Sequence, residues 1–360
     1  MKKWVWFFSS DLSKIIFGLL VGIVFVLIWL NIIDMREIIG YISEINIYFL
    51  IPATIFYLLS YFFRSLRLRK LLLCRDNLSN QNNDVKSEDK NLCQKLSIPI
   101  FKNYTYVLAG NFINYLIPIR AGEIAKSVFY KKNHNIRYSD SLPSIFIDKL
   151  LDTFVIFLVL LLIPFTKIVF TPTLNILIIL LIIVFLIGIS ILTLAALSQQ
   201  IIIKTLKKIF FFLPLKYKTK IHNFFELFVK GLAIFKHHKT LFIPCVVLTF
   251  VATFSDSFFF YMMFIAFNVS VSFTQILFGY TLIFLSYILP HPPAQIGSNE
   301  LLMVLIFSVG FGFSENLISA IMSLSHLLTA VVIFITGSLS LVYAGNKLMD
   351  IFNKKEKLYG

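Results

Sequence analysis

Residues 104–126 read YTYVLAGNFINYLIPIRAGEIAK, and neither a soluble helix nor a plain membrane crossing has this pattern. Tyr104 to Ile119 is apolar but short, and Pro118, Arg120, Gly122, Glu123 and Lys126 follow at once. Both flanks are basic, so both ends belong on the same, cytoplasmic side. The segment is therefore predicted to enter the membrane and return, with Pro118 ending one half-helix and Gly122 opening the next. A second stretch, Tyr287 to Glu300, has Pro290, Pro292, Pro293 and Gly297 inside an apolar run that leads to Glu300. The two stretches share an order: apolar helix, Pro, Gly, Glu, apolar run. Non-helical backbone at membrane depth is tolerated only where protein buries it or a wet cavity adjoins it. Paired interruptions of this kind point to a transporter's binding site, although Pro and Gly kinks are common in membrane helices.

Composition supports a membrane setting. Of 360 residues, 58% are hydrophobic and 14% charged, with a mean hydropathy of +0.85. A soluble chain of this size carries about 25% charged residues. Disorder, coiled coil and a disulfide-stapled secreted fold are excluded by the same figures. The net charge of +15 sits mostly between apolar runs, which is the positive-inside pattern and favours anionic lipid over nucleic acid. Cys74, Cys93 and Cys245 have neither metal-ligand spacing nor a disulfide framework.

The expected fold class is an all-α polytopic membrane protein of about eight crossings with re-entrant half-helices in a pseudo-inverted repeat. Apolar runs span Ile15 to Ile33, Ile45 to Phe63, Leu142 to Phe165, Leu174 to Leu197, Leu241 to Phe267, Phe273 to Leu289, Leu301 to Phe313 and Leu317 to Tyr343. Arg64, Arg67, Arg69 and Lys70 are read as cytoplasmic cations that close the second span. A single membrane domain is assigned to 1–346. It contains a flexible loop at 74–103, the first re-entrant element at 104–130, a basic amphipathic segment at 199–240 and the second broken element at 287–316. A basic tail covers 347–360. Both termini are expected in the cytoplasm, in the cell membrane.

Ionisable groups inside spans cost about 2.5–3.5 kcal/mol each on insertion scales and need partners, water or a purpose. Asp148 and Asp152 lie one turn apart on one helix face, and Lys149 can pair with Asp152. The alternative reading is a salt-bridged cluster near the cytoplasmic surface, with the helix starting late. Arg120, Glu123 and Lys126 recur at spacing three. If Gly122 opens the returning half-helix, its free N–H groups together with Arg120 suit a phosphate. Asp256, near the middle of its span, must be protonated or paired across to another helix. His326 with Ser319, Ser323 and Thr329 reads as a packed polar stripe. Asn111 and Asn114 would bind headgroup hydroxyls against a cavity, or another helix against protein. No nucleophile elbow, HExxH, P-loop or Asp-rich metal motif occurs. No cofactor, metal or catalytic residue is therefore expected. His291 and Glu300 can be drawn as an acid–base pair, but nothing in the sequence forces that role.

Three stretches resemble the lysylphosphatidylglycerol synthase transmembrane-domain family, also called the flippase-like domain family. They are Arg64-Ser65-Leu66-Arg67; Ala109 to Asn114 through Pro118-Ile119-Arg120-Ala121-Gly122-Glu123 and on to Asp148-Lys149-Leu150-Leu151-Asp152; and Leu289-Pro290 through Gly297 to Glu300. The resemblance implies a polytopic helical fold and movement of a lipid between leaflets. Some members carry a cytosolic aminoacyl-transfer domain; none follows the last span here, so aminoacylation is not expected. Lys149 stands where the family usually has Arg, and His291 to Gln295 replaces its usual Gly-rich turn.

The leading expectation is a flippase for an anionic phospholipid or a polyprenyl-phosphate lipid. Arg120, Lys126 and Lys149, with Asn111 and Asn114, would hold the headgroup. Glu123, Asp148, Asp152, Asp256 and Glu300 would pair those cations or carry protons. The alternatives are an accessory subunit or membrane enzyme of lipid-linked glycan synthesis, and a secondary transporter of a small anion. Expected partners are membrane lipids, a glycosyltransferase or lipid-modifying enzyme, and a second copy of the chain.

Overall fold

The helix that was expected to stop at Phe63 does not stop there. In the computed structural model, which describes residues 11–80, 98–117, 121–163, seven positions between 172 and 183, 239–286 and 292–344, one helix runs through Leu50–Asn80. Its apolar crossing is Ile47–Leu73, with Arg64 and Arg67 buried inside it. The local fall in hydropathy at Arg64 is offset by carboxylates from other helices, so the buried face continues past the expected boundary. Of the loop expected over 74–103, residues 74–80 belong to this helix, 100–103 to the next, and 81–97 lie outside the described residues; Arg69 Nε donates to the carbonyl of Ile98 at 2.6 Å where the next helix approaches.

Among the described residues the helices are α1 (Asp11–Ile32), α2 (Met35–Ser43), α3 (Leu50–Asn80), α4 (Ile100–Leu116), α5 (Ala121–His134), α6 (Tyr138–Leu160), α7 (Phe242–Ala266), α8 (Phe273–Ser286), α9 (Ser298–Met303) and α10 (Glu315–Tyr343). No strand occurs among them, and the chain is an all-α membrane protein. Three of these helical stretches are long and apolar enough to cross a bilayer: Ile47–Leu73, Phe242–Ala266 and Glu315–Tyr343. Most of the expected span Leu174 to Leu197, nearly all of the segment 199–240 and the tail 347–360 lie outside the described residues.

The first interruption is a helical hairpin. Tyr130 Oη donates to Asn103 Oδ1 at 2.7 Å, and the Gly122 N–H donates to Asn114 Oδ1 at 2.8 Å. Contacts between 103 and 130 and between 114 and 122 make α4 and α5 antiparallel. Glycine permits the close approach: a Cβ on Gly122 would overlap the carbonyl oxygen of Gly110. The second interruption is built alike. After α8 the chain turns through Pro292–Gly297 into α9, which continues as a π-turn over Val304–Val309. Phe307 then lies against Gly279 of α8, so this segment also doubles back.

After α1 and α2, the other eight described helices fall into two quartets of similar order: long helix (α3, α7), hairpin (α4–α5, α8–α9) and long helix (α6, α10). Their packing is reciprocal. The long helices α3 and α7 form the largest contact, α4 packs on α10, and α8 packs on α6. One apolar core gathers Val155, Phe264, Phe278, Phe307 and Ile321; another gathers Leu68, Tyr106, Phe112, Phe129 and Tyr130. A polar seam along α3, α6 and α7 runs beside them.

Gly122→Ala should destabilise the detergent-solubilised protein by about 2 kcal/mol or more, because a new methyl meets immobile backbone. Gly110→Ala should cost less, since its methyl meets chiefly the flexible Lys126 side chain, 2.7 Å from Cγ. Thermal unfolding of the two variants checks the order; equal losses would contradict it.

Candidate functional site

Arg64 and Arg67 are three residues apart on α3 and so share one face. The α6 helix presents Asp148, Lys149 and Asp152 to that face, and α7 presents Thr249 and Asp256. Arg67 is fully buried; its Nε lies 2.7 Å from Asp148 Oδ1 and its Nη1 2.8 Å from Asp152 Oδ1. The same Nη1 donates to Thr249 Oγ1 at 2.7 Å, while that hydroxyl donates to the Cys245 carbonyl. Arg64 Nη2 lies 2.6 Å from Asp256 Oδ2, which also accepts from the Tyr280 hydroxyl at 2.6 Å. Arg64 Nη1 donates to Ser60 Oγ at 3.1 Å, and its Nε is 3.6 Å from Asp152 Oδ1. Asp152 thus joins both arginines.

The chain of charges continues onto the first hairpin. Lys149 Nζ stands 3.8 Å from Asp152 Oδ2 and 3.6 Å from Glu123 Oε1. Glu123 Oε2 is 2.6 Å from Lys126 Nζ, and Asn114 Nδ2 donates to Glu123 Oε1 at 3.1 Å. Asn114 therefore uses its oxygen on the Gly122 N–H and its amide on Glu123, so that particular N–H is not free. Four cations (Arg64, Arg67, Lys126, Lys149) face four carboxylates (Glu123, Asp148, Asp152, Asp256), and their formal charges cancel. The grip is uneven. The Lys149 side chain is 38% exposed and that of Glu123 18%, against 9% or less for the other six. Both Lys149 contacts exceed hydrogen-bond length, so its ammonium is held by charge rather than by committed donors.

The second hairpin has a counterpart. Glu300, in the first turn of α9, shares a hydrogen bond of 2.5 Å with His326 Nδ1 of α10. His326 Nε2 lies 2.8 Å from the Ala294 carbonyl and 3.3 Å from the Tyr115 hydroxyl of α4. In each quartet, then, an acid at the start of the hairpin's second helix meets a base on the following long helix: Glu123 with Lys149, and Glu300 with His326.

The match to known families follows this geometry. The family model described as the lysylphosphatidylglycerol synthase TM region matches residues 15–337. The chain belongs to that family. No curated protein matches it, and neither does any solved structure. As a member of the lysylphosphatidylglycerol synthase TM family, it is a membrane protein related to flippase-like domains.

The structure brings Lys126, Lys149, Asn114, Glu123, Asp148, Asp152 and Asp256 into one connected set, with Gly122 at its hairpin. Glu300 and Gly297 belong to the second hairpin, whose Pro293–Gln295 turn packs on α4. Asn111 is half-buried on α4 and lies near Tyr57 of α3. Arg120, Pro118 and Pro290 lie outside the described residues. Asp256 is paired across helices, one of the two states expected for it. Sequence reasoning passed over Thr249 and Tyr280, read Arg64 and Arg67 as cytoplasmic cations at the end of a span, and favoured a packing role for His326. The signal for the arginines was available: Leu66, Leu68 and Leu71 carry the apolar pattern past them.

A double-mutant cycle tests the seam. Arg64→Met and Asp256→Asn should each lower thermal stability, and the double variant should lose less than their sum by about 1 kcal/mol or more. Strict additivity would contradict the pairing.

Proposed function

We propose that this chain carries an anionic lipid, a phospholipid or a polyprenyl-phosphate lipid, between the two leaflets without chemical change. The observation that carries this reading is Lys149: a half-exposed cation on a buried, charge-balanced seam, with donors that no carboxylate holds at hydrogen-bond distance. A phosphate reaching this point takes those donors. Glu123 is not stranded when this happens, because Lys126 at 2.6 Å keeps it paired. The exchange costs little because one anion replaces another against the same cation, whereas an unpaired charge in a membrane interior costs several kcal/mol. Arg120, immediately before α5, adds a second phosphate donor in this reading.

Family membership supports lipid as the cargo class, and the basic connecting segments support a cell-membrane location with both termini cytoplasmic. Membrane lipids are the partners. A lipid-modifying enzyme or glycosyltransferase that supplies or receives the lipid, and a second copy of the chain, are compatible additions. Catalysis, cofactors and nucleic acid form no part of the proposal.

Proteoliposomes with fluorescent phosphatidylglycerol, bleached from outside, test it. Wild type should expose inner-leaflet label faster than empty vesicles. Lys149→Gln should slow this about tenfold, equivalent to about 1.4 kcal/mol, and Lys149→Arg, the residue usual in the family, should retain it. A wild type no faster than empty vesicles, or an unaffected Lys149→Gln, would overturn the reading.

A further inference from the structure

The second hairpin is fastened to α10 by a donor–acceptor arrangement that one proton alone cannot satisfy. His326 Nδ1 is 2.5 Å from a carboxylate oxygen of Glu300, and Nε2 is 2.8 Å from the Ala294 carbonyl. Both partners are acceptors. A neutral imidazole would set a lone pair against one of them, whichever tautomer it took. The geometry requires two protons on the pair: one between Nδ1 and Oε1, the other on Nε2 pointing at Ala294. Glu300 is buried, and among the described residues its Oε2 has no hydrogen-bond partner, a place where a full carboxylate charge is costly.

The carbonyl that His326 holds belongs to an unfavourable turn. Ala294 has φ 52° and Gln295 φ 60°, two successive left-handed residues without being glycine. Each costs about 1 kcal/mol or more and persists only where surroundings enforce it. This turn packs on α4 of the first hairpin and on α1. Tyr115 of α4 waits 3.3 Å from the same Nε2. Among the described residues, the titratable groups facing His326 are Glu300 from α9 and Tyr115 from α4.

We propose that the Glu300–His326 pair is the proton site of this carrier: its second proton latches the Ala294 turn to α10, and its loss releases the turn and switches His326 to Tyr115. The Nε2–H bond breaks and the proton passes to water. The bare Nε2 then accepts from the Tyr115 hydroxyl, and the Ala294 carbonyl loses its donor. The pair's charge goes from zero to minus one. A negative pair beside the first hairpin repels an anionic headgroup, so the latched, protonated state is the one that accepts the lipid. The link to lipid rests on the function proposed above; the latch itself does not.

The experiment has two readouts. The first is hydrogen–deuterium exchange of residues 293–301 in nanodiscs, corrected for intrinsic rates, between about pH 6 and about pH 9. Wild type should lose protection as pH rises. His326→Gln should show no pH-dependent loss, and Tyr115→Phe, lacking the alternative donor, should lose protection only at higher pH. His134→Gln, which alters a histidine on α5 beside Tyr106, is the control and should respond as wild type does. The second readout is translocation of fluorescent phosphatidylglycerol, faster at the lower pH in wild type and independent of pH in His326→Gln. Protection that is independent of pH in wild type, or that still responds in His326→Gln, overturns the latch. A normal latch with no lipid movement at any pH overturns the transport reading and leaves the latch standing. A normal latch with translocation insensitive to pH overturns its coupling to lipid.

Discussion

Arg67 has no exposed surface, and most of what is particular to this fold follows from keeping its charge in a low-dielectric interior. An isolated guanidinium there would cost many kcal/mol, and it is tolerated only because Asp148, Asp152 and Thr249 converge on it from two other helices. Fixing Arg67 fixes the register of α3 against α6 and α7. That register places Arg64 against Asp256 and leaves Asp152 shared between the arginines. A buried pair of this kind need not add stability over apolar packing, but it rejects other registers, because any slip strands a charge. The seam also joins the two quartets, since α3 and α6 belong to one and α7 to the other.

The same logic loosens toward one end. At Arg67 every contact is short; at Lys149 the carboxylates stand beyond hydrogen-bond reach and the side chain meets solvent or lipid. A gradient from rigid pairing to exchangeable pairing suits the carrier role proposed above, with a fixed scaffold behind a cation that can change partners. The second quartet repeats the acid–base placement with different chemistry. Lys149, a permanent cation, is matched by His326, which titrates near neutral pH when unperturbed. One half is therefore suited to charge and the other to protons.

Parts of this were legible in the sequence for a clear reason. Asp148, Lys149, Asp152 and Asp256 stand out because charge inside an apolar run is costly, and the order Pro, Gly, Glu exposed both hairpins. Arg64 and Arg67 misled because a window of hydropathy cannot separate cations that close a span from cations neutralised by helices far along the chain; Asp256 is 192 residues from Arg64. Tyr115 and His326, 211 residues apart, meet only because α4 packs on α10, which no local pattern encodes. The contact between Gly110 and Gly122 depends on how α4 and α5 pack, which the residue types alone do not determine.

The central claim is that a lipid phosphate takes the place of Glu123 on Lys149 while the arginine seam stays intact. A cryo-EM structure in nanodiscs of phosphatidylglycerol tests it most directly. The account predicts phosphate density within hydrogen-bond distance of Lys149 Nζ, Glu123 held by Lys126 alone, and Arg67 unmoved between Asp148 and Asp152. Headgroup density confined to the outer rim, with Lys149 still between Glu123 and Asp152, would contradict it.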